Sequence, residues 1–461
     1  MLKVLLLNCP YGEIVLRDNY CCHTSKAHYL WPPVDLLGIS GALEKRNISY
    51  ECIDAIAEEV SWETVFSFVY ENNITDVIAL TGTTTFLEDI ASLRKIKSEK
   101  KTLRIFLMGN RVAFTPNDVM IRYAEVDGIF HHFFDNSVAD FLLGEPSEYP
   151  GISYRNKDGI VDGKINYTRD RYVETHPPDF SKFPLHAYRT PLSKRTPIGA
   201  SLLSFGCPYT CKFCTASEIN LMFKTIESVE CEFEAMRRAG VKEIFFQDST
   251  FNANISYVQQ VCELLQKHDF TWTCDIHHKN TDLSVLQMMR DSGCHGVQIG
   301  VESFKQESLN EFAPSKSDRQ KTKQAFENCK TVGLQTLGYF IVGLNNEGEN
   351  DMNNTINWAI ELNPTFASFS TLAPDFGTKY YREVMSDSEN HDKFHYFPTD
   401  NSGKPMAINK LETPDLRNKM LVKAYLRFYF RPAKMMEHFF KFKNWENLWL
   451  NGYHLLRKKL G

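Results

Sequence analysis

The stretch FGCPYTCKFC places Cys207, Cys211 and Cys214 around a single Gly-Pro turn. Three thiols so close together in a loop suit metal chemistry better than packing. As thiolates they can each hold one iron of a cubane cluster, and the fourth iron is then left without a protein ligand. An open iron calls for a ligand that resembles a substrate. Zinc is the competing expectation, but structural zinc is closed by four ligands, commonly in paired units, and only three converge here. The opening MLKVLLLNCP lacks the long apolar core of a signal peptide and meets Pro10 at once. In the reducing compartment this implies, twelve cysteines are left to burial, metal binding or catalysis rather than disulfides.

Most of the other cysteines read as small hydrophobes. Cys52 lies in the strand-like YECIDA, and Cys231 and Cys262 lie on helical segments. Cys21 and Cys22 are adjacent, so their side chains diverge, and burial or a loop role is expected of them. Cys274, Cys294 and Cys329 fall in the repeated second half of the chain, where burial is again the expectation and a hydrogen-atom donor the sharper alternative. No cysteine follows Cys329, which argues against an auxiliary cluster domain downstream.

The elements that must carry the cysteine loop are legible in the alternation of apolar runs. With 461 residues, 43% hydrophobic and 24% charged, the chain has ordinary globular usage and length for two or three domains. A net charge of -5 gives no general reason to expect nucleic acid. No apolar run approaches the roughly 18 residues of a membrane span, so a cytoplasmic protein is expected. Residues 1–145 alternate five apolar runs, KVLLLNCP, SYECIDA, DVIALTGT, RIFLMGN and VDGIFHH, with helical spacings such as VDLLGISGALEKRN. That pattern predicts an α/β, doubly wound, Rossmann-like domain. Residues 146–195, polar and Pro-rich in HPPDF and FPLHAYRTP, read as a linker.

Residues 196–385 repeat strand and helix through GASLLSF, KEIFFQD, FTWTCDI, GVQIGVE, LQTLGYFIVG and FASFSTL. Gly240, Gly293 and Gly333 stand where helices should stop, and Ile226, Val229, Phe233 and Met236 share one helical face. This predicts a partial (β/α)6 barrel of the TIM type, with chemistry at the C-terminal strand ends. The three cysteines follow its first strand directly. Residues 386–461 read as a helical region.

Cys-x3-Cys-x2-Cys with an aromatic residue, Phe213, before the last cysteine, placed after a barrel's first strand, resembles the radical S-adenosylmethionine (SAM) superfamily over about residues 196–385. The resemblance implies one 4Fe-4S cluster on Cys207, Cys211 and Cys214, whose open iron chelates the amino and carboxylate groups of SAM. One-electron reduction then cleaves SAM to methionine and a 5'-deoxyadenosyl radical that takes hydrogen from a substrate carbon. It also implies a flavodoxin or ferredoxin as electron donor. FFQDSTF, ending the second strand, makes Gln247, Asp248 and Ser249 candidates for the methionyl amine. IGVESF on strand four resembles a family segment and makes Glu302 and Ser303 contacts for ribose or methionine. GYFIVGLNNEGE resembles the next family segment with Gly343 and Glu347 in place, although Asn345 and Asn346 replace Pro and Gly; APDFGT keeps Pro374, Gly377 and Thr378. Strand three ends in DIHHKN where relatives often carry arginine, leaving His278 or Lys279 to meet the SAM carboxylate; a substrate role for His277 or His278 is an alternative.

A doubly wound domain before such a barrel is similar to the cobalamin-binding-domain class, and WPPVDLLGISGALEKRN, with Pro32, Pro33, Leu36, Leu37 and Gly38, resembles the way that class enters its first helix. The implied activity is cobalamin-dependent C-methylation of a small molecule, lipid or peptide. The alternatives are non-methylating radical chemistry (epimerisation, dehydration or rearrangement) and a SAM or cluster sensor. The Asp-x-His-x-x-Gly motif is absent. The expected glycine pair appears as Gly109-Asn110, and the expected glycine-rich turn as HHFFDN, with His131 and His132 as candidate ligands or exposed loop residues. The aromatic, basic tail from about Asp415 is expected as helices packing over the barrel mouth with snorkelling basic residues. Its sharper alternative is peripheral membrane contact that presents a lipid or anionic substrate.

Overall fold

The computed structural model describes residues 2–18, 20, 22–25, 29–134, 136–144, 149–163, 172–386 and 414–441. The N-terminal strands are β1 (Lys3–Asn8), β2 (Val15–Arg17), β3 (Cys22–Thr24), β4 (Ser49–Asp54), β5 (Asp76–Leu80), β6 (Arg104–Met108), β7 (Gly128–Phe130), β8 (Ile152–Asn156) and β9 (Gly159–Val161). One sheet takes the order β4-β1-β5-β6-β7-β8-β9, parallel through β7. All five apolar runs become its parallel strands. Their near-continuous apolar character follows from helices covering both faces, so that β5 is buried at every position.

The segment read as a linker is in part sheet: β8 and β9 add antiparallel strands to this domain. They escaped the apolar pattern because Arg155, Asn156 and Gly159 sit on a half-solvated edge hairpin. Strands β2 and β3 form a separate hairpin. The chain then crosses to the second unit through β10 (Tyr172–Val173).

The second unit carries β11 (Ile198–Ser201), β12 (Ser204–Phe205), β13 (Met222–Lys224), β14 (Glu243–Phe246), β15 (Thr271–Ile276), β16 (Cys294–Glu302), β17 (Gln335–Ile341) and β18 (Phe366–Ser370). Its six-stranded sheet runs β11-β14-β15-β16-β17-β18, all parallel. Among the described residues no pairing joins β18 to β11, so the sheet is an open arc. The helices end at Gly240, Gly293 and Gly333, with φ of +80°, +104° and +78°. Helix Ile226–Arg238 fully buries Val229, Phe233 and Met236, with Ile226 half-buried at its start. Cys262, Cys274, Cys294 and Cys329 are buried in the main core, whereas Cys231 is exposed, against the expectation that it packs as a hydrophobe.

The open arc leaves β18 as an edge, and helix Pro414–Tyr429 covers it. The Tyr425 hydroxyl donates to the Phe369 carbonyl at 3.2 Å and accepts from its N–H at 3.1 Å. Tyr429 makes the same pair with Ala367, both at 2.9 Å. Two phenols one helical turn apart thus satisfy backbone groups that another strand would otherwise claim. This corrects the expectation for this helix, which packs on the unpaired edge instead of over the barrel mouth. Arg431 and Lys434 donate to the Ile360 and Pro364 carbonyls at 3.3 and 2.7 Å. The remainder of the tail, 442–461, lies outside the described residues. The double variant Tyr425→Phe, Tyr429→Phe is expected to lose roughly 2–4 kcal/mol by stranding four backbone groups. A lower urea midpoint with unchanged far-UV ellipticity checks it.

Candidate active site at the barrel rim

The cysteine loop leaves β12 through Gly206, whose φ is +77°. A Cβ there would lie 2.4 Å from the Ile219 carbonyl oxygen and 2.6 Å from that of Asn220, so only glycine lets the chain pass. The loop is tied at several points. Cys214 N–H donates to Cys211 O at 3.2 Å, and the Ser217 hydroxyl donates to the carbonyls of Cys211 and Cys214 at 2.9 and 2.6 Å. Lys212 is held on both sides, its N–H donating to Phe312 O and its carbonyl accepting from Tyr380 N–H, both at 2.9 Å. Phe213 packs against Phe312, Leu344 and Tyr380 and anchors the loop to the wall of the arc.

Cys211 is buried, and Cys207 and Cys214 are half-buried. Burial pushes the Cys211 thiol up to about 11, and burial with the charges of its two neighbours pushes Cys214 up to about 12. Three thiolates here need positive charge, which an iron cluster supplies and which would deprotonate them outright. Among the described residues no three histidine, cysteine or carboxylate side chains close on a single ion. Three thiols in one loop, each able to take a different iron, fit a cluster in donor type.

The polar residues expected to meet SAM divide into two groups. Asp248 is buried, and its carboxylate accepts from Leu203 N–H, Ser204 N–H and the Ser204 hydroxyl at 3.1, 2.6 and 2.6 Å. Desolvation still raises it to about 6. It braces the turn between β11 and β12 and is not an open ligand, which corrects its assignment. Ser303 is likewise spent: buried, it donates to Glu347 and accepts from Lys305 N–H at 3.0 Å, while Glu347 accepts from Leu344 N–H at 3.0 Å. This pair fastens the turn after Gly343 (φ +87°) to β16. His278 is also corrected. It is buried, with Nδ1 3.2 Å from the Thr322 hydroxyl on helix Arg319–Thr331, and burial lowers it to about 4. Lys279 stands 5.3 Å over the Tyr209 ring. Thr378 caps helix Lys379–Met385, and Gly377 is packed against Phe114 of the first unit.

Gln247, Ser249 and Glu302 stay at the rim. Gln247 is half-buried and donates to Pro32 O at 3.1 Å, so the Pro-Pro entry of the first unit touches the second strand's end. Glu302, buried, has φ +67° at a bulge against β17 and pairs with half-buried Lys316. Gly300 makes room, since a Cβ there would lie 2.0 Å from Lys316 Nζ. Below them Asp275, Gln298 and Tyr339 occupy adjoining strands, with Asp275 opposite Gln298 and the Tyr339 hydroxyl donating to Gln298 at 2.6 Å. Burial and the Asp248 charge raise Asp275 to about 8. Sequence reasoning missed Thr250, 3.5 Å from Cys207 Sγ, and Lys316 and Ser315, both near Cys211. Each is a lone polar residue in a loop with no local pattern to announce it.

The first unit meets this rim through aromatic contacts, with Phe134 4.5 Å from Phe205 and Trp31 5.7 Å from Phe245. His131 and His132, expected exposed or as ligands, are both buried. His131 Nε2 lies 2.8 Å from the Ser153 hydroxyl, and His132 stacks on Phe134 at 4.4 Å. Neither offers itself to a metal at the rim. The loops after β5 and β6 present Thr81, Gly82, Thr83, Thr84 and Asn110, with Asn110 Oδ1 accepting from Thr83 N–H at 3.2 Å. These small hydroxyl and amide groups suit a large amide-fringed cofactor. The β2–β3 hairpin lies over them: Thr84 donates to Cys22 O at 3.3 Å, and a Cβ at Gly82 would meet Cys22 Sγ at 2.5 Å. Arg17, donating to Asn8 and Cys9 O at 3.0 and 2.6 Å, anchors β2.

Comparison with known proteins decides the family. Residues 201–359 match the Radical SAM superfamily. This chain carries a radical SAM domain. Its cofactors are accordingly a 4Fe-4S cluster and SAM. Over the greater part of its length the radical SAM chain is 25% identical to an uncharacterized methyltransferase of Pyrococcus horikoshii, covering 89% of this chain and 90% of the relative. It is 24% identical to the anaerobic magnesium-protoporphyrin IX monomethyl ester cyclase of Cereibacter sphaeroides, covering 91% and 70%. In fold it resembles OxsB, a cobalamin-dependent SAM radical enzyme solved with aqua-cobalamin and SAM, with a TM-score of 0.71 at 15% identity over 99% of this chain and 71% of that one. It also resembles the methyltransferase TsrM of Kitasatospora setae, with a TM-score of 0.63 at 16% identity over 84% and 75%. Among the described residues no helix is long and apolar enough to cross a membrane.

Proposed function

We propose that this radical SAM enzyme is a cobalamin-dependent C-methyltransferase acting on a small molecule, lipid or peptide in a reducing cytoplasm, with a flavodoxin or ferredoxin as electron donor. The observation that carries the reading is likeness to a named methyltransferase over 89% of the chain, first unit included. The cluster with SAM supplies a 5'-deoxyadenosyl radical, and cobalamin a methyl carrier. The chain's own work is positioning. Cys207, Cys211 and Cys214 would hold three irons, and Glu302, Gln247 and Ser249 are the residues proposed to meet the polar groups of SAM. Asp275, Gln298 and Tyr339, on adjoining strands, are the polar groups proposed to orient the substrate. Phe133, Phe134 and Phe205 close the seam between the units, keeping water from a reactive radical. At the first rim, Thr84 and Asn110 are the groups that would meet the cobalamin amides. The tail is proposed as an edge cover first, with membrane contact left to liposome co-sedimentation.

The test joins two measurements on anaerobically reconstituted protein. Reduction with SAM is expected to release 5'-deoxyadenosine, and incubation with hydroxocobalamin followed by gel filtration is expected to carry about one corrin per chain with the protein peak. If deoxyadenosine forms but no corrin co-elutes, cobalamin-dependent methylation is struck out and non-methylating radical chemistry takes its place. The likeness to a cyclase over 91% of this chain and 70% of the relative supports that second reading. Epimerisation is its weakest form, because Cys294 opens β16 at the end opposite the rim and Cys274 and Cys329 are buried in the core.

A further inference from the structure

We infer that the β2–β3 hairpin of the first unit positions the cluster loop of the second, with Tyr20 as its positioning residue, and thereby couples the first rim to the SAM site. The inference rests on the cluster reading, but Tyr20 and the groups that seat it lie outside the radical SAM domain at residues 201–359.

Tyr20 lies between β2 and β3 and meets the cluster loop at both ends. At the exit, the hydroxyl of Thr215, next in the chain to Cys214, donates to Tyr20 O at 3.1 Å. At the entry, the N–H of Gly206, next to Cys207, donates to the Tyr20 hydroxyl over a longer 3.5 Å. Thr215 is buried, so bulk water does not replace its bond when the partner shifts. One residue of the first unit therefore spans the segment that carries all three cysteines.

Tyr20 N–H donates to Asp18 Oδ1 at 2.7 Å and closes the turn. The hairpin is seated on the first unit at two points. Arg17 Nη2 lies 3.6 Å from the buried carboxylate of Asp89. Opposite Arg17 in the register stands Cys22, whose carbonyl accepts from the Thr84 hydroxyl at 3.3 Å. The Cys22 side chain lies so close over Gly82 that a Cβ there would meet its Cβ and Sγ at 2.5 Å. Cys22 thus rests on the loop after β5, two residues from the carbonyl that holds Thr215. So short a span between fixed points leaves little slack, and a displacement at Thr84 reaches Tyr20 and through it the cysteines. Groups that orient metal ligands without touching the metal govern how its open position is presented.

The test is calorimetric titration of SAM into the full reconstituted chain with its cluster oxidised, so that no electron is available for cleavage, and with iron measured alongside. Thr215→Val, which keeps the shape and loses the hydroxyl, is expected to weaken SAM binding about fivefold at unchanged iron, and Thr215→Ser to restore it. Tyr20→Ala should match Thr215→Val, while Tyr20→Phe, losing only the longer contact, stays within about twofold of wild type. Thr84→Val, in the other unit, is expected to weaken SAM about threefold. Both act through one strut, so the double variant Thr84→Val, Thr215→Val should lose about fivefold, where independent effects would multiply to about fifteenfold. Tyr70→Phe, on helix Trp62–Glu71 of the first unit, is the control and should bind SAM as wild type does. Wild-type affinity in iron-replete Thr215→Val or Thr84→Val, or a multiplied loss in the double variant, overturns the inference. If Thr215→Val holds no iron, the Thr84→Val affinity decides it alone. A wild-type chain that binds no iron defeats the cluster reading and the inference with it, whereas iron-replete variants that bind SAM normally defeat the inference only.

Discussion

Alanine at any one of Cys207, Cys211 and Cys214 is expected to abolish SAM cleavage, and all three together to remove the brown cluster absorbance. Each thiolate is the sole protein ligand of one iron, and the fourth iron is kept for SAM, so no spare ligand exists within the loop. Thr250 lies within reach of Cys207 Sγ, but a neutral hydroxyl is a poor iron ligand beside a thiolate. Iron should fall from about four per chain in the wild type to well under half in each single variant, and deoxyadenosine to the reagent background. The fold should survive, because burial keeps Cys211 and Cys214 as neutral thiols when no metal is bound, and alanine then removes only one small side-chain atom at each position. An unchanged urea midpoint with lost iron is the expected signature. A triple alanine variant that retained full iron would end the radical SAM reading of this site.

Gly206→Ala is expected to do nearly the same damage without touching a ligand. The residue sits at φ +77°, and an added methyl would overlap two backbone carbonyl oxygens, those of Ile219 and Asn220, which no rotamer change can move aside. Left-handed strain costs about 1 kcal/mol at a free position. Here the overlap adds to it, and the simplest relief is a shift of the loop entry that carries Cys207 out of register with Cys211 and Cys214. Gly144→Ala is the control: its φ is +72°, but nothing lies within 4 Å of the added carbon. Iron content should collapse in the first variant and stay at the wild-type value in the second. Equal iron in both would show that the loop entry tolerates a side chain and that cluster geometry is not set at Gly206.

The contrast between the motif residues and their neighbours shows why part of this site could be read early. Cys207, Cys211 and Cys214 act as a set because they are local: their spacing in one loop is their geometry. Asp248, Ser303, Glu347 and His278 were placed at the rim by the order of motifs along successive strands, and they do lie at strand ends. Strand order cannot say which way a polar side chain turns. Asp248 turned to Leu203 and Ser204, Ser303 to Glu347, and His278 to Thr322, because buried backbone and hydroxyl groups there had to be paired. His131 and His132 went inside for the same reason.

By itself the sequence determined the two parallel sheets and their strand order of appearance, the helix stops at Gly240, Gly293 and Gly333, the cluster loop after the first strand of the second sheet, and through these the family. Each is written in periodicity or in short-range spacing, which a chain carries wherever it folds. Only the tertiary structure decided that β8 and β9 extend the first sheet, that the C-terminal helix caps the β18 edge through Tyr425 and Tyr429, and that the β2–β3 hairpin lies across the first rim. It alone packed Leu309 and Ala313 on Cys211. These are contacts between segments tens to hundreds of residues apart, selected by unpaired backbone edges, buried charge and hydrogen-bond polarity, and no local pattern encodes such pairings.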